Sequence, residues 1–487
     1  MGSRHQAAGR RCRALSAARG GRRIALDAMV AAPLSKTVLD TIGENVFRCY
    51  QCVKCSSGCP LAERFDLTPN QVMRSLQFGL SDVLESRAIW LCASCHTCAT
   101  RCPQEIDVTG VMDTLRQEAR RRGIAPAIPE IAHFNEIFLA NIKFFGRVYE
   151  LGLMGLFNLR LRQPFKHLRM GWEMLKRGRF SFLPKFVRPA KNAKPVAAGK
   201  EPIAYFPGCA LDGSSAEYDR TARAVARHLE IDLVEPPGWT CCGSSPAHAS
   251  DATLATVLPM RTIATVEKMG IETITSPCSS CFARLKTAEH EVTSDHEAAA
   301  AAESATGYAY QGGVSVEHLL DTLIDKAGLD GIRSKAAKPL TGLKVACYYG
   351  CLITRPARLT GAAHYEYPVR MDELMRALGA EPVDWSFKTD CCGNSLSLTQ
   401  TEVAVEMSGK VVQNAQDCGA DAIVTMCPMC HLNLDARQPE MGLPSPIPIL
   451  HATQLMLLAF GESSGAAELG KNLTDPRPVL KQKGVLG

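Results

Sequence analysis

The C-terminal part of the chain carries one pattern of apolar and polar positions twice. The runs "IAYFPGC" at residues 203–209 and "VACYYGC" at residues 345–351 are short, apolar and closed by Gly-Cys, which is typical of a buried strand. The pattern predicts that a strand and then an amphipathic helix form in each copy. The apolar positions at helical spacing are Ala222, Val225, Ala226 and Leu229 in the first copy and Met371, Leu374, Met375 and Leu378 in the second.

Signals at the helix ends and a second pair of matching runs complete the repeat. Ser214 and Glu217 have the spacing of a capping box, and Gly379 marks the end of the helix in the second copy. A Cys-Cys-Gly turn and another helix follow, and "MGIETITSPCSSC" at residues 269–281 then matches "CGADAIVTMCPMC" at residues 418–430. We therefore predict two tandem α/β units, at residues 201–330 and 331–460. Their cysteines would lie at the carboxyl ends of the strands, where such sheets bind ligands.

Residues 132–188 contain no cysteine and place apolar residues at helical intervals among basic ones, which predicts amphipathic helices. A linker rich in Pro, Lys and Ala follows at residues 188–202. We assign residues 126–200 to this helical segment and linker, and residues 461–487 to a tail. The segment is expected to pack between two domains, and docking to a membrane surface or a partner subunit is the alternative.

The formal net charge of +6 comes from the first 28 residues, which hold seven arginines and one aspartate. Because the rest of the chain sums to zero, a nucleic acid is not an expected partner. We treat residues 1–33 as an Arg-rich, disordered extension, and favour Met29 as the initiator over a targeting segment. The closest candidate for a membrane span, residues 148–159, is too short and is interrupted by Glu150. We therefore expect a cytoplasmic protein, with peripheral contact at the inner face of the membrane left open.

The chain has 21 cysteines, an odd number that favours metal ligation over a disulfide framework. The runs "CYQCVKCSSGCP" and "CASCHTCATRCP" have the spacing of bacterial ferredoxins, in which the fourth cysteine ligates the other cluster. Zinc would need neither the third cysteine step nor the trailing proline. We therefore predict a dicluster domain at residues 34–125 with two 4Fe-4S cubane clusters. Their cofactor-binding ligands would be Cys49, Cys52, Cys55 and Cys102 for one cluster and Cys92, Cys95, Cys98 and Cys59 for the other.

Each α/β repeat supplies five more cysteines, one more than a cubane or a zinc ion requires. Neighbouring cysteines rarely form a disulfide with each other because its geometry is strained, so metal ligation is favoured here too. The two sets are Cys209, Cys241, Cys242, Cys278 and Cys281, and then Cys351, Cys391, Cys392, Cys427 and Cys430.

Four further residues near these motifs are given structural roles. Cys347 and Cys418 align with apolar positions of the other repeat and are expected to be ordinary buried side chains. Arg355 and Arg358 follow Cys351 closely and could bind an anionic arm of a substrate. We predict instead that they belong to a solvated helix face.

Together these motifs, over residues 34–460, resemble a fusion of the C and B subunits of heterodisulfide reductase. The run "FFGRVYELGLMGLFNL" in the helical segment is also similar to part of the C component. The resemblance implies an α+β and α/β multidomain fold, in which a mostly helical dicluster ferredoxin module precedes two tandem α/β CCG repeats. It implies that the C-like part relays single electrons through its two cubanes. The B-like part would hold two non-cubane 4Fe-4S clusters, each bound by one five-cysteine motif.

The function implied by the resemblance is the reversible cleavage or formation of a disulfide, with the ten cysteines of the two repeats as the catalytic residues. Two clusters that face one S–S bond could receive both sulfur atoms and avoid a free thiyl radical. The substrate would be a small-molecule or carrier-protein disulfide. Because the chain shows no flavin or nicotinamide fingerprint, electrons are expected from a flavin-containing A-like subunit or a membrane cytochrome.

A second resemblance gives an alternative function. The iron–sulfur subunits of glycolate oxidase and anaerobic glycerol-3-phosphate dehydrogenase have a similar layout, serve a flavin dehydrogenase and pass electrons to quinone. The ten intact cysteines of the CCG repeats favour the disulfide function over this electron-transfer role.

Overall fold

The computed structural model describes residues 33–180, 182–190, 194–195 and 201–486. Cys12, nearly all of the Arg-rich extension and part of the linker lie outside the described residues. Over the described part the chain is largely helical and contains two small parallel sheets, which confirms the predicted fold class.

The N-terminal domain consists of short helices that alternate with cysteine-bearing loops. Thr68 and Gln71 form a capping box at the start of its third helix, as expected for a Thr that precedes Pro at the first helical position. The domain core extends to Leu396 and Met407 of the second repeat, so the two pack together. The helices are α1 (Leu34–Ile42), α2 (Lys54–Ser57), α3 (Pro69–Gln77), α4 (Arg87–Leu91), α5 (Thr97–Thr100) and α6 (Val108–Arg121), with 3-10 turns at Val46–Arg48, Ala62–Arg64 and Asp82–Glu85.

The predicted helical segment forms α7 (Pro129–Phe145), α8 (Glu150–Arg160) and α9 (Leu168–Lys176). We call residues 129–190 the cap segment. Helix α7 ends at Gly146, which has φ 79°, and a Cβ there would collide with the carbonyl oxygen of Val187. The Gly146 carbonyl accepts a hydrogen bond from the Cys241 N–H at 3.0 Å. This bond ties the cap segment to the Cys-Cys-Gly turn of the first repeat.

Each predicted α/β unit forms a four-stranded parallel sheet, and the two sheets have the same topology. Ala204 pairs with Ile274 in the first sheet, and the equivalent residues Ala346 and Ile423 pair in the second. The first sheet has the order β2-β1-β3-β4, from β1 (Ile203–Tyr205), β2 (Leu233–Val234), β3 (Thr273–Ser276) and β4 (Ser315–His318). The second has the order β6-β5-β7-β8, from β5 (Lys344–Tyr348), β6 (Glu381–Pro382), β7 (Ala422–Thr425) and β8 (Ile449–His451).

Helices cover both sheets, and the two repeats share one apolar core. Tyr218 of the first repeat donates a hydrogen bond to the Met426 carbonyl of the second at 3.0 Å, and Leu480 of the tail packs in the same core. The helices of the first repeat are α10 (Gly208–Asp212), α11 (Ala216–His228), α12 (Ser244–Ser250), α13 (Ala252–Lys268), α14 (Ser279–Ser294), α15 (His296–Thr306), α16 (Leu319–Ala327) and α17 (Leu329–Lys335). The remaining helices are α18 (Ala357–Thr360), α19 (Arg370–Ala377), α20 (Thr401–Asp417), α21 (Pro428–Ala436), α22 (Ala452–Ala459) and α23 (Arg477–Gln482), with 3-10 turns at Asn394–Leu396, Gln438–Glu440 and Leu469–Lys471.

The capping box predicted at the start of α11 is wrong. Helix α11 begins after Ser215 without a side-chain cap. Ser214 instead donates a hydrogen bond to Glu150 at 2.7 Å, and Glu217 forms an ion pair with Arg179 at 2.6 Å. Both partners belong to the cap segment, so tertiary contacts have taken the two side chains that the local pattern assigned to the helix end.

None of the helices in the described part of the chain is long and apolar enough to cross a bilayer. The longest stretch without Asp, Glu, Lys or Arg, residues 441–461, is divided among a loop, β8 and α22.

Candidate iron–sulfur centres and the cavity between the repeats

Four cysteines of the N-terminal domain line a small cavity near its surface: Cys49, Cys52, Cys55 and Cys102. The first three lie on one turn, in which Gln51 and Val53 adopt left-handed φ values of 63° and 66° and wrap the chain tightly. Cys102 comes from the second motif. Of the four, only Cys52 is exposed.

The other four cysteines of this domain, Cys59, Cys92, Cys95 and Cys98, line a second cavity. Its turn has the same construction, because Ser94 and His96 adopt left-handed φ values of 50° and 57°. Burial raises the pKa of the Cys92 thiol to about 11 and those of Cys59 and Cys98 well above their ordinary value. These thiolates would therefore need a positively charged group among them. The fourth cysteine of each motif thus lies with the first three of the other motif.

All ten cysteines of the two repeats line one cavity of about 270 Å³. The Gly-Cys and Cys-x-x-Cys cysteines follow the carboxyl ends of equivalent strands, β1 and β3 in the first repeat and β5 and β7 in the second, and the Cys-Cys-Gly turns follow the edge strands β2 and β6. The arrangement is nearly symmetric: the Sγ atoms of Cys242 and Cys281 lie 3.4 Å apart, and those of Cys392 and Cys430 lie 3.6 Å apart.

The glycine that precedes the first cysteine of each repeat makes room for the last cysteine. Gly208 and Gly350 have φ values of 73° and 72°. A Cβ on Gly208 would come within 2.7 Å of the Cys281 Sγ, and one on Gly350 within 3.1 Å of the Cys430 Sγ. The Gly-Cys pair therefore has the same physical cause in both copies: only glycine allows two thiol-bearing loops to meet.

The glycine of each Cys-Cys-Gly turn also has a specific role. Gly243 and Gly393 adopt left-handed φ values of 85° and 75°. Their N–H groups point at the thiols two residues earlier, at 3.5 Å from the Cys241 Sγ and 3.4 Å from the Cys391 Sγ. A backbone donor at this position stabilises a thiolate.

Contacts between cysteines connect the separate sets. The neighbouring Cys391 thiol of the second repeat raises the pKa of Cys95 in the second ferredoxin cavity, and the Cys278 thiol of the first repeat lowers the pKa of Cys427 in the second, so the thiols of each pair lie close together. We call Cys49, Cys52, Cys55 and Cys102 the exposed ferredoxin set and Cys59, Cys92, Cys95 and Cys98 the buried ferredoxin set. The four cysteine sets therefore follow one another in space from the exposed ferredoxin set through the buried ferredoxin set and the second repeat to the first repeat.

The cap segment supplies one wall of the cavity between the repeats. Its contributions are mainly apolar: Phe134, Phe138, Leu153, Met154, Met170 and Met174, together with the carboxyl group of Glu150. The sequence pattern predicted that this segment packs between domains and gave it no part in the site. The spacing of its apolar residues could not distinguish a helix that packs between domains from one that lines a cavity, because any buried helix face has the same period.

Two of the four structural roles predicted near the motifs need correction. Cys347 is buried in the core as expected, but Cys418 is exposed because it follows the last turn of α20. Arg355 does not lie on a solvated helix face, because its side chain is fully buried and donates to Thr97 and Thr389. Arg358 is 55% exposed and pairs with Asp107, so the prediction is right for this residue.

The chemistry of these donor sets fits iron–sulfur clusters. Both ferredoxin cavities are lined by four cysteines with only apolar or uncharged neighbours, and thiol-only sets in such surroundings are typical of cluster sites. Over the described residues, no three His, Cys, Asp or Glu side chains converge on the position of a single metal ion. The assignment of each set to a particular cluster stays a prediction.

Two protein families match separate parts of the chain. The family described as "Cysteine-rich domain" matches residues 203–286 and 345–435, and the "4Fe-4S dicluster domain" matches residues 48–107. The matches confirm the duplicated unit and the dicluster domain that precedes it.

Characterised relatives match the two parts of the chain in the same way. The "8-methylmenaquinol:fumarate reductase membrane anchor subunit" of Wolinella succinogenes is 32% identical over 56% of this chain and 97% of the relative. The B component of the ferredoxin/F(420)H(2)-dependent CoB-CoM heterodisulfide reductase of Methanosarcina acetivorans is 31% identical over 55% of this chain and 93% of the relative. A C component, the iron-sulfur subunit of the CoB-CoM heterodisulfide reductase of Methanocaldococcus jannaschii, is 38% identical over 17% of this chain and 46% of the relative.

A solved structure shares the fold. The crystal structure of a hypothetical protein from Helicobacter pylori is 10% identical, with a TM-score of 0.56 over 92% of this chain and 77% of that chain.

Proposed function

This chain belongs to the family of the heterodisulfide reductase B component and carries a dicluster domain like that of the C component in front of it. We propose that it is the catalytic and electron-relay subunit of a complex that reversibly cleaves or forms a disulfide. The observation that carries the proposal is the single cavity lined by all ten cysteines of both repeats. Two equivalent thiol sets around one space suit a substrate bond whose two ends are both sulfur.

We propose two 4Fe-4S cubane clusters and two non-cubane 4Fe-4S clusters, which when bound supply one-electron transfer. In the N-terminal domain the ligands are Cys49, Cys52, Cys55 and Cys102 for one cubane and Cys59, Cys92, Cys95 and Cys98 for the other. In the repeats they are Cys209, Cys241, Cys242, Cys278 and Cys281 for one non-cubane cluster and Cys351, Cys391, Cys392, Cys427 and Cys430 for the other.

The chain's own residues favour an electron partner at the exposed ferredoxin set. Cys52 is the one exposed residue among the eighteen proposed ligands, all of which lie in the described part of the chain. The neighbouring side chains Phe47, Tyr50 and Val53 are 64%, 60% and 45% exposed, which leaves an apolar rim for a protein partner. A flavin-containing A-like subunit or a membrane cytochrome fits this role.

The alternative substrate is a quinone, as in the electron-transfer role of the glycolate oxidase type. The observation in its favour is the apolar wall of the cavity, where Phe138, Met154 and Met170 would accept an uncharged ring. The relative from Wolinella succinogenes is named as a subunit of an 8-methylmenaquinol:fumarate reductase. Quinone reduction gives no role to two equivalent thiol sets, because a quinone contains no sulfur atoms for them to face.

We also propose peripheral contact with the inner face of the membrane through the cap segment. Nine large apolar side chains among the described residues 144–186 are more than half exposed, including Phe165 at 78% and Trp172 at 55%. Basic residues lie between them, including Arg160, Arg162 and Lys176. Exposed aromatic residues among Lys and Arg are typical of surfaces that bind anionic lipid.

The deciding experiment is spectroscopy of the anaerobically purified protein. We expect about 16 irons per chain, the sum of four 4Fe-4S clusters. Adding a thiol to the oxidised protein should produce a new EPR signal, because product thiols bind at the cavity. About eight irons would contradict the non-cubane centres, and a full iron content without a thiol response would favour the quinone alternative. A Cys391→Ala variant should lose disulfide turnover.

A further inference from the structure

Apart from its ten cysteines, the cavity between the repeats is lined by one acid and one base among the described residues, Glu150 and Arg437. Arg437 is already engaged: its guanidinium donates to the Ser397 carbonyl at 2.7 Å and lies 2.9 Å from the carboxylate of Glu440. The other lining side chains are apolar, hydroxyl or amide groups. Glu150 is therefore the one carboxyl group that lines this space.

The protein fixes the Glu150 carboxyl group from two sides. Its Oε1 accepts a hydrogen bond from the Ser214 hydroxyl at 2.7 Å. Its Oε2 occupies the space beside Gly213, where a Cβ would come within 2.9 Å and displace the carboxyl group. Ser214 thus positions a cavity carboxyl group instead of capping α11.

The charged groups packed around Glu150 are paired with one another. Arg179 forms a buried ion pair with Glu217 at 2.6 Å, and Asp212 pairs with Arg147 and Lys185 at 3.1 and 2.5 Å. Burial raises the pKa of Glu150 to about 7, against the opposing effects of the Ser214 hydrogen bonds and the Arg179 charge. A carboxyl group in this range can both give and take a proton near neutral pH.

We propose that Glu150 is the proton donor to the reduced product in this cavity, and the proton acceptor in the reverse direction. The proposal rests on the proposed function, because it needs a reduction that consumes protons. Cleavage of R–S–S–R′ breaks the S–S bond, takes up two electrons and two protons, and yields RSH and R′SH. The electrons come from the one-electron donor bound at the exposed ferredoxin set. Glu150 gives its proton to one leaving thiolate and, after reprotonation by solvent, to the other.

The test compares Glu150→Gln with the matched control Glu173→Gln in the cluster-loaded protein. Glu173 is also a cap-segment carboxylate, but it pairs with Lys176 and Arg177 outside the cavity. We expect Glu150→Gln to lower kcat for disulfide reduction by at least about 100-fold, the usual contribution of a general acid, with iron content and KM unchanged. The control should match the parent protein. A Glu150→Gln variant with the parent's rate and pH profile would overturn the proposal.

Two further measurements separate proton donation from a structural role. Ser214→Ala removes a hydrogen bond that stabilises the carboxylate, so the pKa of Glu150 and the inflection of the pH–rate profile should both move to higher pH. Infrared difference spectra between reduced and oxidised protein should show a carboxyl band that is lost in Glu150→Gln. An unmoved profile in Ser214→Ala, or an unchanged band, would also contradict the proposal. Failure of the parent protein to respond to thiol would instead reject the proposed function itself.

Discussion

Arg355 of the second repeat donates a hydrogen bond from Nη1 to the Thr97 hydroxyl of the dicluster domain at 2.9 Å. The same guanidinium donates to the carbonyl and the hydroxyl of Thr389, both at 2.9 Å, two residues before Cys391. Thr97 in turn lies 3.4 Å from the Cys95 Sγ. One fully buried arginine therefore joins the two loops whose cysteines meet at the domain boundary.

Arg355→Lys should loosen this boundary. A lysine keeps the charge but cannot reach Thr97 and Thr389 together with a planar fork, so we expect a loss of about 2 kcal/mol in the free energy of unfolding. The measurement is anaerobic denaturant unfolding, together with the rate at which the repeats are reduced after the dicluster domain. Arg358→Lys is the control, because its exposed ion pair with Asp107 should be worth less than about 1 kcal/mol. Equal stability of the two variants would contradict the prediction.

The exchange of the fourth cysteine between the two ferredoxin motifs can be tested by single substitutions. If each cavity holds one cluster, Cys102→Ser should lose the same EPR signal as Cys52→Ser, and Cys59→Ser the same signal as Cys95→Ser. Each variant should lose up to about four irons. The control is Cys418→Ser, which changes an exposed cysteine outside these cavities. A Cys102→Ser spectrum that matches Cys95→Ser would show that each motif binds its own cluster.

The parts of the fold that depend on local patterns were predictable from the sequence. The repeat was visible because both copies keep the same strand, turn and cysteine spacing, and the two sheets confirm it with equivalent pairs such as Ala204 with Ile274. The cysteine sets were visible because cluster ligands need short, fixed spacings.

Features that depend on contacts distant in sequence could not be predicted. Ser214 and Glu217 match a capping box locally, yet their partners Glu150 and Arg179 are 64 and 38 residues away in sequence. Arg355 has the appearance of a surface residue in the sequence, but contacts with Thr97 of the dicluster domain and with Thr389 hold it in a fully buried position. The cavity carboxyl group was missed for the same reason, because no local pattern distinguishes Glu150 from any acid at the first turn of a helix.

The junction between the cap segment and the second repeat should weaken in mild acid because of His167. Its Nδ1 lies 3.3 Å from the Arg437 guanidinium, and burial, with the charges of Arg437 and Lys166, lowers the pKa of His167 to about 4. The folded state thus favours the neutral ring. Stability is full above the unfolded pKa of about 6.5 and falls as the pH drops from there toward about 4.

We expect limited proteolysis of the cap segment to accelerate, relative to a variant without the His167 ring, as the pH is lowered from about 7.5 to about 5 at constant ionic strength. The matched variant is His167→Asn, because Asn tolerates the left-handed φ of 63° and carries no titratable ring. The ratio of parent to variant rates isolates the effect of His167, because other groups that titrate in this range, such as Glu150, are present in both proteins. The same acceleration in parent and variant would rule out His167 as the cause.

The membrane contact proposed for the cap segment predicts selective binding to anionic vesicles. Leu168 and Trp172 lie one turn apart on α9 and therefore on one side of the helix, with 62% and 55% exposure. Phe165 is 78% exposed just before α9, and Lys166 and Arg169 lie beside these residues in sequence. We expect co-sedimentation with phosphatidylglycerol vesicles that decreases at high salt, and little binding to phosphatidylcholine, because insertion of a few side chains alone is weak.

The triple variant Phe165→Ser, Leu168→Ser and Trp172→Ser should bind at least about tenfold more weakly, since each buried aromatic or Leu side chain contributes about 1.5 kcal/mol or more. The control, Phe78→Ser with Leu80→Ser, removes two exposed apolar side chains from the dicluster domain and should leave vesicle binding unchanged. If the parent protein stays in the supernatant, or if only the control loses binding, the cap segment does not contact the membrane, and its exposed face is better explained by a protein partner.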